Sequence, residues 1–85
     1  MGELSKLPNI GKAVEKQLEE AGISTYEELK NIGAEGAWLK IQANDPSTCI
    51  HRLLALEGAI ECVKKSDIEQ ERKAELKEFY NRNKK

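Results

Sequence analysis

The chain lacks any excess of positive charge, and that narrows its function first. Fourteen Lys and Arg stand against fifteen Asp and Glu, for a formal net charge of −1. A domain that grips DNA by charge alone is strongly basic, so nucleic-acid contact here is expected to be weak, local and salt-sensitive. Long apolar runs are missing as well: no segment approaches the ~20 apolar residues of a membrane span. Met1-Gly2-Glu3-Leu4 has neither the basic start nor the apolar stretch of a secretory signal, so a cytoplasmic location is the expectation. Two prolines and six glycines exclude collagen-like and low-complexity classes.

Chemistry-bearing residues are sparse too. There is one histidine, His51, and there are two cysteines, Cys49 and Cys62. Placed on one helix, those cysteines stand about 20 Å apart. A disulfide needs Cα atoms within about 7 Å, so free thiols, buried or half-buried, in a reducing compartment are expected. Cys49 and His51 sit at i and i+2, on different sides of a helix, which argues against a metal pair. His51 has no evident nucleophile or acid partner, and the carboxylates alternate with lysines as on solvated helix faces. The expectation is a protein without catalytic residues, metal, cofactor or small-molecule substrate. Glu57, set among Leu54, Leu56 and Gly58, is the one carboxylate expected to be partly buried, in a structural role.

What the chain does have is helical periodicity. Its 85 residues make one domain, 1–85, with a modest core. Glu3 to Lys6 forms a short helix or a single turn. The next helix runs roughly from Ile10 to Ala21, with Ile10, Ala13, Val14, Leu18 and Ala21 on its core stripe. Gly22 occupies the position of a C′ glycine. Thr25-x-x-Glu28, or Ser24-x-x-Glu27, is a capping box that starts a third helix, which stops near Gly33. Ala34 to Ala43 forms a fourth. Asp45 and Pro46 cap and open the most apolar helix, which holds Ile50, Leu53, Leu54, Leu56, Ala59, Ile60 and Val63. Gly58 within it signals tight packing. Ser66-x-x-Glu69 is read as a further capping box, and the last helix aligns Ile68, Arg72, Leu76, Phe79 and Tyr80. Residues 81–85 are expected to fray. No period-2 pattern and no clear repeat is evident. The fold class is therefore all-α, with five to six helices and a helix-hairpin-helix-like N-terminal half.

Leu7-Pro8-Asn9-Ile10-Gly11-Lys12 carries the functional question. A Pro-x-hydrophobic-Gly turn that opens a helix aims unpaired N–H donors, at the positive end of the dipole, toward solvent. Ile10 would anchor the turn, Asn9 and Gly11 would leave its backbone accessible, and Lys12 and Lys16 would add charge. Such contacts hold phosphate without reading bases. The other reading is structural: the turn docks two helices, Asn9 caps the second, and Gly11 allows close packing.

The placed motifs resemble the C-terminal domain of the TfoX/Sxy competence-regulator family. The match runs through Leu4, Leu7 to Gly11, Ala21 to Thr25, Glu28-Leu29, Gly33-Ala34, Cys49, Leu53, Ala55 to Ala59, and Lys73 to Lys77. The resemblance implies an all-α bacterial module of competence or transcription regulation, here standing alone without the family's N-terminal domain. The turn also looks like the DNA-contacting turn in the C-terminal domain of the bacterial RNA polymerase alpha subunit, where Asn replaces the first glycine of the hairpin. Asn9, Gly11 and Lys12 match that pattern. Ala13 and Val14 replace the polar pair that follows it, so part of that contact set is missing.

Two functions remain. One is a regulatory accessory module that contacts DNA weakly through Asn9, Ile10, Gly11, Lys12 and Lys16. The other is a protein-interaction or homodimerisation module in which the hairpin is only structural. Trp38 belongs either to the core or to a partner interface, and Phe79 and Tyr80 admit the same two readings.

Overall fold

Local stop and start signals divide the chain into helices. The structure, a computed structural model, describes residues 3–84, and among them every regular element is helical. A 3-10 turn at Glu3–Lys6 leads to α1, Lys12–Glu20. Three further helices follow: α2, Tyr26–Asn44; α3, Ile50–Glu61; and α4, Gln70–Asn83. A second 3-10 turn, Lys65–Asp67, lies between α3 and α4. The structure thus has four α-helices against the five or six expected. The difference lies at α2, which bends at Gly33 (φ 81°, ψ 165°) into rods at 26–32 and 34–44. These are the third and fourth helices of the sequence reading, joined without a loop.

The α1 terminus follows its sequence signal. Gly22 takes φ 88° and donates to the Glu19 carbonyl at 3.0 Å, while Ile23 N–H donates to Leu18 O at 2.8 Å. Leu18 and Ile23 are both buried, which completes a Schellman closure with its apolar contact. The capping box at α2 is that of Thr25: Glu28 N–H donates to Thr25 Oγ1, and Thr25 N–H to Glu28 Oε1, each at 3.1 Å. The Ser24 and Thr25 hydrogen bonds hold the Glu28 carboxyl below its ordinary pKa, outweighing desolvation.

Two other start signals mislead. Asp45 and Pro46 do not open α3. Asp45 closes α2, its N–H donating to Ile41 O, and its Oδ1 accepts from Ser47 N–H and Oγ in a turn. Helix α3 starts later, with Cys49 as its N-cap. Ser66 does not cap α4 either: it lies inside the second 3-10 turn, and Glu69 precedes the helix without a side-chain cap. Helix continues through Asn83, whose carbonyl accepts from Gln42 Nε2 at 2.8 Å. Lys85 lies outside the described residues.

The core forms where α2 packs on α3, with α4 and α1 closing the sides. Its largest fully buried side chains are Trp38, Leu4, Leu18, Leu29, Ile41, Leu53, Leu56 and Leu76. Trp38 is therefore a core residue and not a surface anchor. Its Nε1 donates to Cys49 O at 3.1 Å. Phe79 and Tyr80 meet its ring edge-on, at centroid distances of 6.0 and 5.6 Å. The last helix spends its aromatic face on its own domain, because a small core gains most from burying its few large rings. Leu39 is the exposed large apolar side chain among the described residues. Cys49 and Cys62 flank α3 at opposite ends; both are free, and both are exposed and not buried as expected, because they cap the helix instead of lying on its core face.

One charged knot crosses the helices. Arg72 of α4 donates through Nη2 to Glu35 of α2 at 2.8 Å and to Glu57 of α3 at 2.9 Å, and through Nη1 to Glu75 at 3.1 Å. Glu57 is buried, as expected, and structural. Burial would raise its pKa, but the Arg72 guanidinium and a hydrogen bond with Glu61 outweigh it, so the pKa is lowered. Glu61, sharing that hydrogen bond and the repulsion of Glu57, is pushed up to about 7. The two carboxyl groups hold one proton between them near neutrality.

Candidate nucleic-acid interface

The turn before α1 is built by backbone geometry. Leu7 N–H donates to Leu4 O at 3.0 Å and Ile10 N–H to Leu7 O at 3.3 Å, so the chain coils tightly around Pro8. Asn9 has φ 69°, a left-handed conformation that Asn tolerates better than most L-residues. This is why Asn can stand where a glycine would otherwise be needed. Ile10 is buried and anchors the turn in the core. Gly11 is the N-cap of α1, in extended conformation and with no side chain to cap the helix.

The consequence is a bare helix start. Among the described residues, none accepts from the amides of Lys12 or Ala13, and both residues are exposed. Lys12 and Lys16 lie one helical turn apart, exposed, and in no ion pair among the described residues. Ser5, Ile10, Gly11, Lys12 and Glu15 line a hollow of about 490 Å³ in front of this turn. Glu15 puts a carboxylate on one wall, where it accepts from Ser5 N–H at 3.1 Å. That charge weakens the attraction for an anion and sets an upper limit on affinity.

The predicted residues separate into two groups. Gly11, Lys12 and Lys16 reach the surface together. Ile10 is buried and its amide is taken by Leu7 O, so it anchors the turn and offers no donor to a ligand. Asn9 departs from expectation: it neither caps α1 nor faces solvent. Its Nδ2 donates to Val63 O at 3.0 Å, and its Oδ1 accepts from Lys65 N–H at 3.2 Å. Val14 belongs to the core stripe as predicted, whereas Ala13 is exposed and does not. Trp38 is buried, and Phe79 and Tyr80, half-buried, pack on its ring.

A second turn echoes the first in sequence: Leu29-Lys30-Asn31-Ile32-Gly33 repeats the Leu-x-Asn-Ile-Gly of residues 7–11. Helical periodicity does not reveal this repeat, and its geometry differs. There the positive φ falls on Gly33, and the first turn of the following rod carries Glu35, already bound to Arg72.

Fold and turn together define a small all-α module with a helix-hairpin-helix-like entry to α1. The chain belongs to the TfoX C-terminal domain family, whose model matches residues 1–80. Two solved structures from Listeria monocytogenes are similar to it over nearly their full lengths. One, an uncharacterized protein in a triclinic form, has 46% identity and a TM-score of 0.92, covering 93% of this chain and 90% of that one. The other, a protein of unknown function in a tetragonal form, has 45% identity and a TM-score of 0.90, covering 92% and 96%. Among curated proteins none matches. Among the described residues no group of His, Cys, Asp and Glu is placed to hold a metal, and no helix is long and apolar enough to cross a membrane.

Proposed function

We propose that this chain is a non-enzymatic regulatory module of the competence-regulator type that touches duplex DNA weakly and without sequence preference. The contact is the first turn of α1: the bare amides of Lys12 and Ala13, with the Lys12 and Lys16 ammonium groups beside them. The observation that carries this reading is the pairing of unsatisfied, exposed amides with exposed lysines that are in no ion pair among the described residues. Family membership supports the regulatory class. The near-zero net charge supports weak binding. The protein-interaction reading is favoured less, since Trp38 is buried and Phe79 and Tyr80, half-buried, pack against its ring.

Fluorescence anisotropy with a random-sequence duplex at low salt tests the reading. Binding is expected to weaken steeply as salt is added. The double variant Lys12→Glu/Lys16→Glu is expected to abolish it. Affinity unchanged in that variant contradicts the proposal.

A further inference from the structure

We propose that the Val63–Lys65 segment is a second phosphate-binding arm, locked beside the α1 turn by the Asn9 side chain; this inference rests on the DNA-contact reading of that turn.

The residues concerned are far apart in sequence and adjacent in space. Asn9 reaches across 54 and 56 positions to bond the carbonyl of Val63 and the amide of Lys65. Both ends of its carboxamide are used, so the loop is fixed in position and in direction. Gly58 of α3 makes this possible. A Cβ there would collide with Asn9 Nδ2 and would lie 2.8 Å from Val63 O. The Asn9 amide thus occupies the space that any larger residue at 58 would fill.

The segment so held carries Lys64 and Lys65. Both are exposed, and neither is in an ion pair among the described residues. The Arg72 and Arg82 guanidinium groups, by contrast, are each tied to carboxylates. Glu61 and Asp67, both exposed, are the carboxylates that flank the segment along the chain, and Lys73 adds a further cation, donating from Nζ to Ser66 O at 3.2 Å on the same loop. The loop therefore presents cations beside the turn that carries Lys12 and Lys16. A net charge of −1 for the whole chain conceals this local grouping. A duplex offers phosphates at regular spacing along two strands, and two linked basic elements fit that repeat better than one. On this account Asn9, which an accessible-turn reading makes a contact, is a positioning residue that sets the distance between the arms.

The test measures duplex affinity against salt for the native chain, Lys64→Ala/Lys65→Ala, Lys12→Ala/Lys16→Ala and Asn9→Gly. Glycine keeps the left-handed backbone at 9 and removes only the side-chain bonds. Far-UV circular dichroism fixes a temperature at which these four and the Asn9→Gly/Lys64→Ala/Lys65→Ala combination are all folded. Removing two phosphate contacts should lower the slope of log affinity against log salt by about 1.8 for Lys64→Ala/Lys65→Ala. Asn9→Gly should lower the slope in the same direction although it removes no charge, and should add little in the Lys64→Ala/Lys65→Ala background. A slope unchanged by Lys64→Ala/Lys65→Ala, with binding still lost in Lys12→Ala/Lys16→Ala, overturns the second arm and leaves the turn standing. A native chain that does not bind overturns both. An Asn9→Gly loss that is undiminished in the Lys64→Ala/Lys65→Ala background overturns the positioning role.

Discussion

Replacing Gly58 by alanine should destabilise the protein, although helix propensity argues the opposite. In a helix interior, Gly→Ala ordinarily stabilises by about 0.5–1 kcal/mol. Here the new methyl meets Asn9 Nδ2, the Val63 carbonyl at 2.8 Å and the Lys65 amide at 3.3 Å. Two of those contacts are backbone and cannot swing away. Expelling the Asn9 amide forfeits its bonds to Val63 O and Lys65 N–H, worth about 1 kcal/mol each. Shifting the loop backbone costs a further ~1 kcal/mol at least. Subtracting the propensity gain leaves a net loss of about 2 kcal/mol. For a domain of this size that is a fall in Tm of roughly 10 °C, measurable by thermal melts followed at 222 nm. The sharper check is a double-mutant cycle with Asn9→Gly, in which the cost of Gly58→Ala should shrink because its main obstacle is gone. A Tm for Gly58→Ala equal to or above that of the native chain would refute the reasoning, as would strict additivity in the cycle.

Other outcomes follow from the same geometry. Trp38→Phe should cost about 1–3 kcal/mol, because it leaves a gap beside Phe79 and Tyr80 and removes the indole N–H bond to the Cys49 carbonyl; urea unfolding measures it. Gly22→Ala should cost about 1 kcal/mol in the same assay, since φ 88° is strained for alanine. Glu61 gives a pH signature. Its folded-state pKa, about 7, lies above the ordinary 4.5, so folding favours the protonated form and stability should decline as pH rises between those values. Glu61→Gln mimics the protonated form. Its Tm should match the native value well below pH 4.5 and exceed it near pH 8; Tm values that differ by the same amount at both would contradict the shared-proton arrangement. Glu57, whose pKa is lowered, acts in the more acidic range, where stability should fall as it takes up a proton.

What the sequence reveals is local. Gly22 announces the end of α1, and Thr25 with Glu28 the start of α2, because each signal acts within five residues of itself. The stripe of Val14, Leu18, Leu53, Leu56 and Leu76 locates the core. The start of α3 is misplaced for a related reason: Asp45 and Pro46 suit a helix start, yet the same Asp45 bonds suit a turn, and only tertiary packing chooses between them. Trp38 has two credible places in the sequence, and the edge contacts from Phe79 and Tyr80, some forty residues downstream, decide for the core. Asn9 is legible only through its neighbours in the chain, while its partners lie beyond α3. The Arg72 knot is hidden likewise, since Glu35 and Glu57 belong to other helices. The turn itself is legible as a motif. Which of its atoms remain free for a ligand is not, because that depends on contacts made across the fold.

The central claim is that DNA backbone is met by the start of α1. Amide chemical shifts of the 15N-labelled protein, followed as a short random-sequence duplex is added at low salt, test it most directly. The account predicts shifts concentrated at Gly11 to Lys16 and at Val63 to Lys65, reversed by added salt. Shifts centred on another surface, or none at saturating duplex, would contradict it.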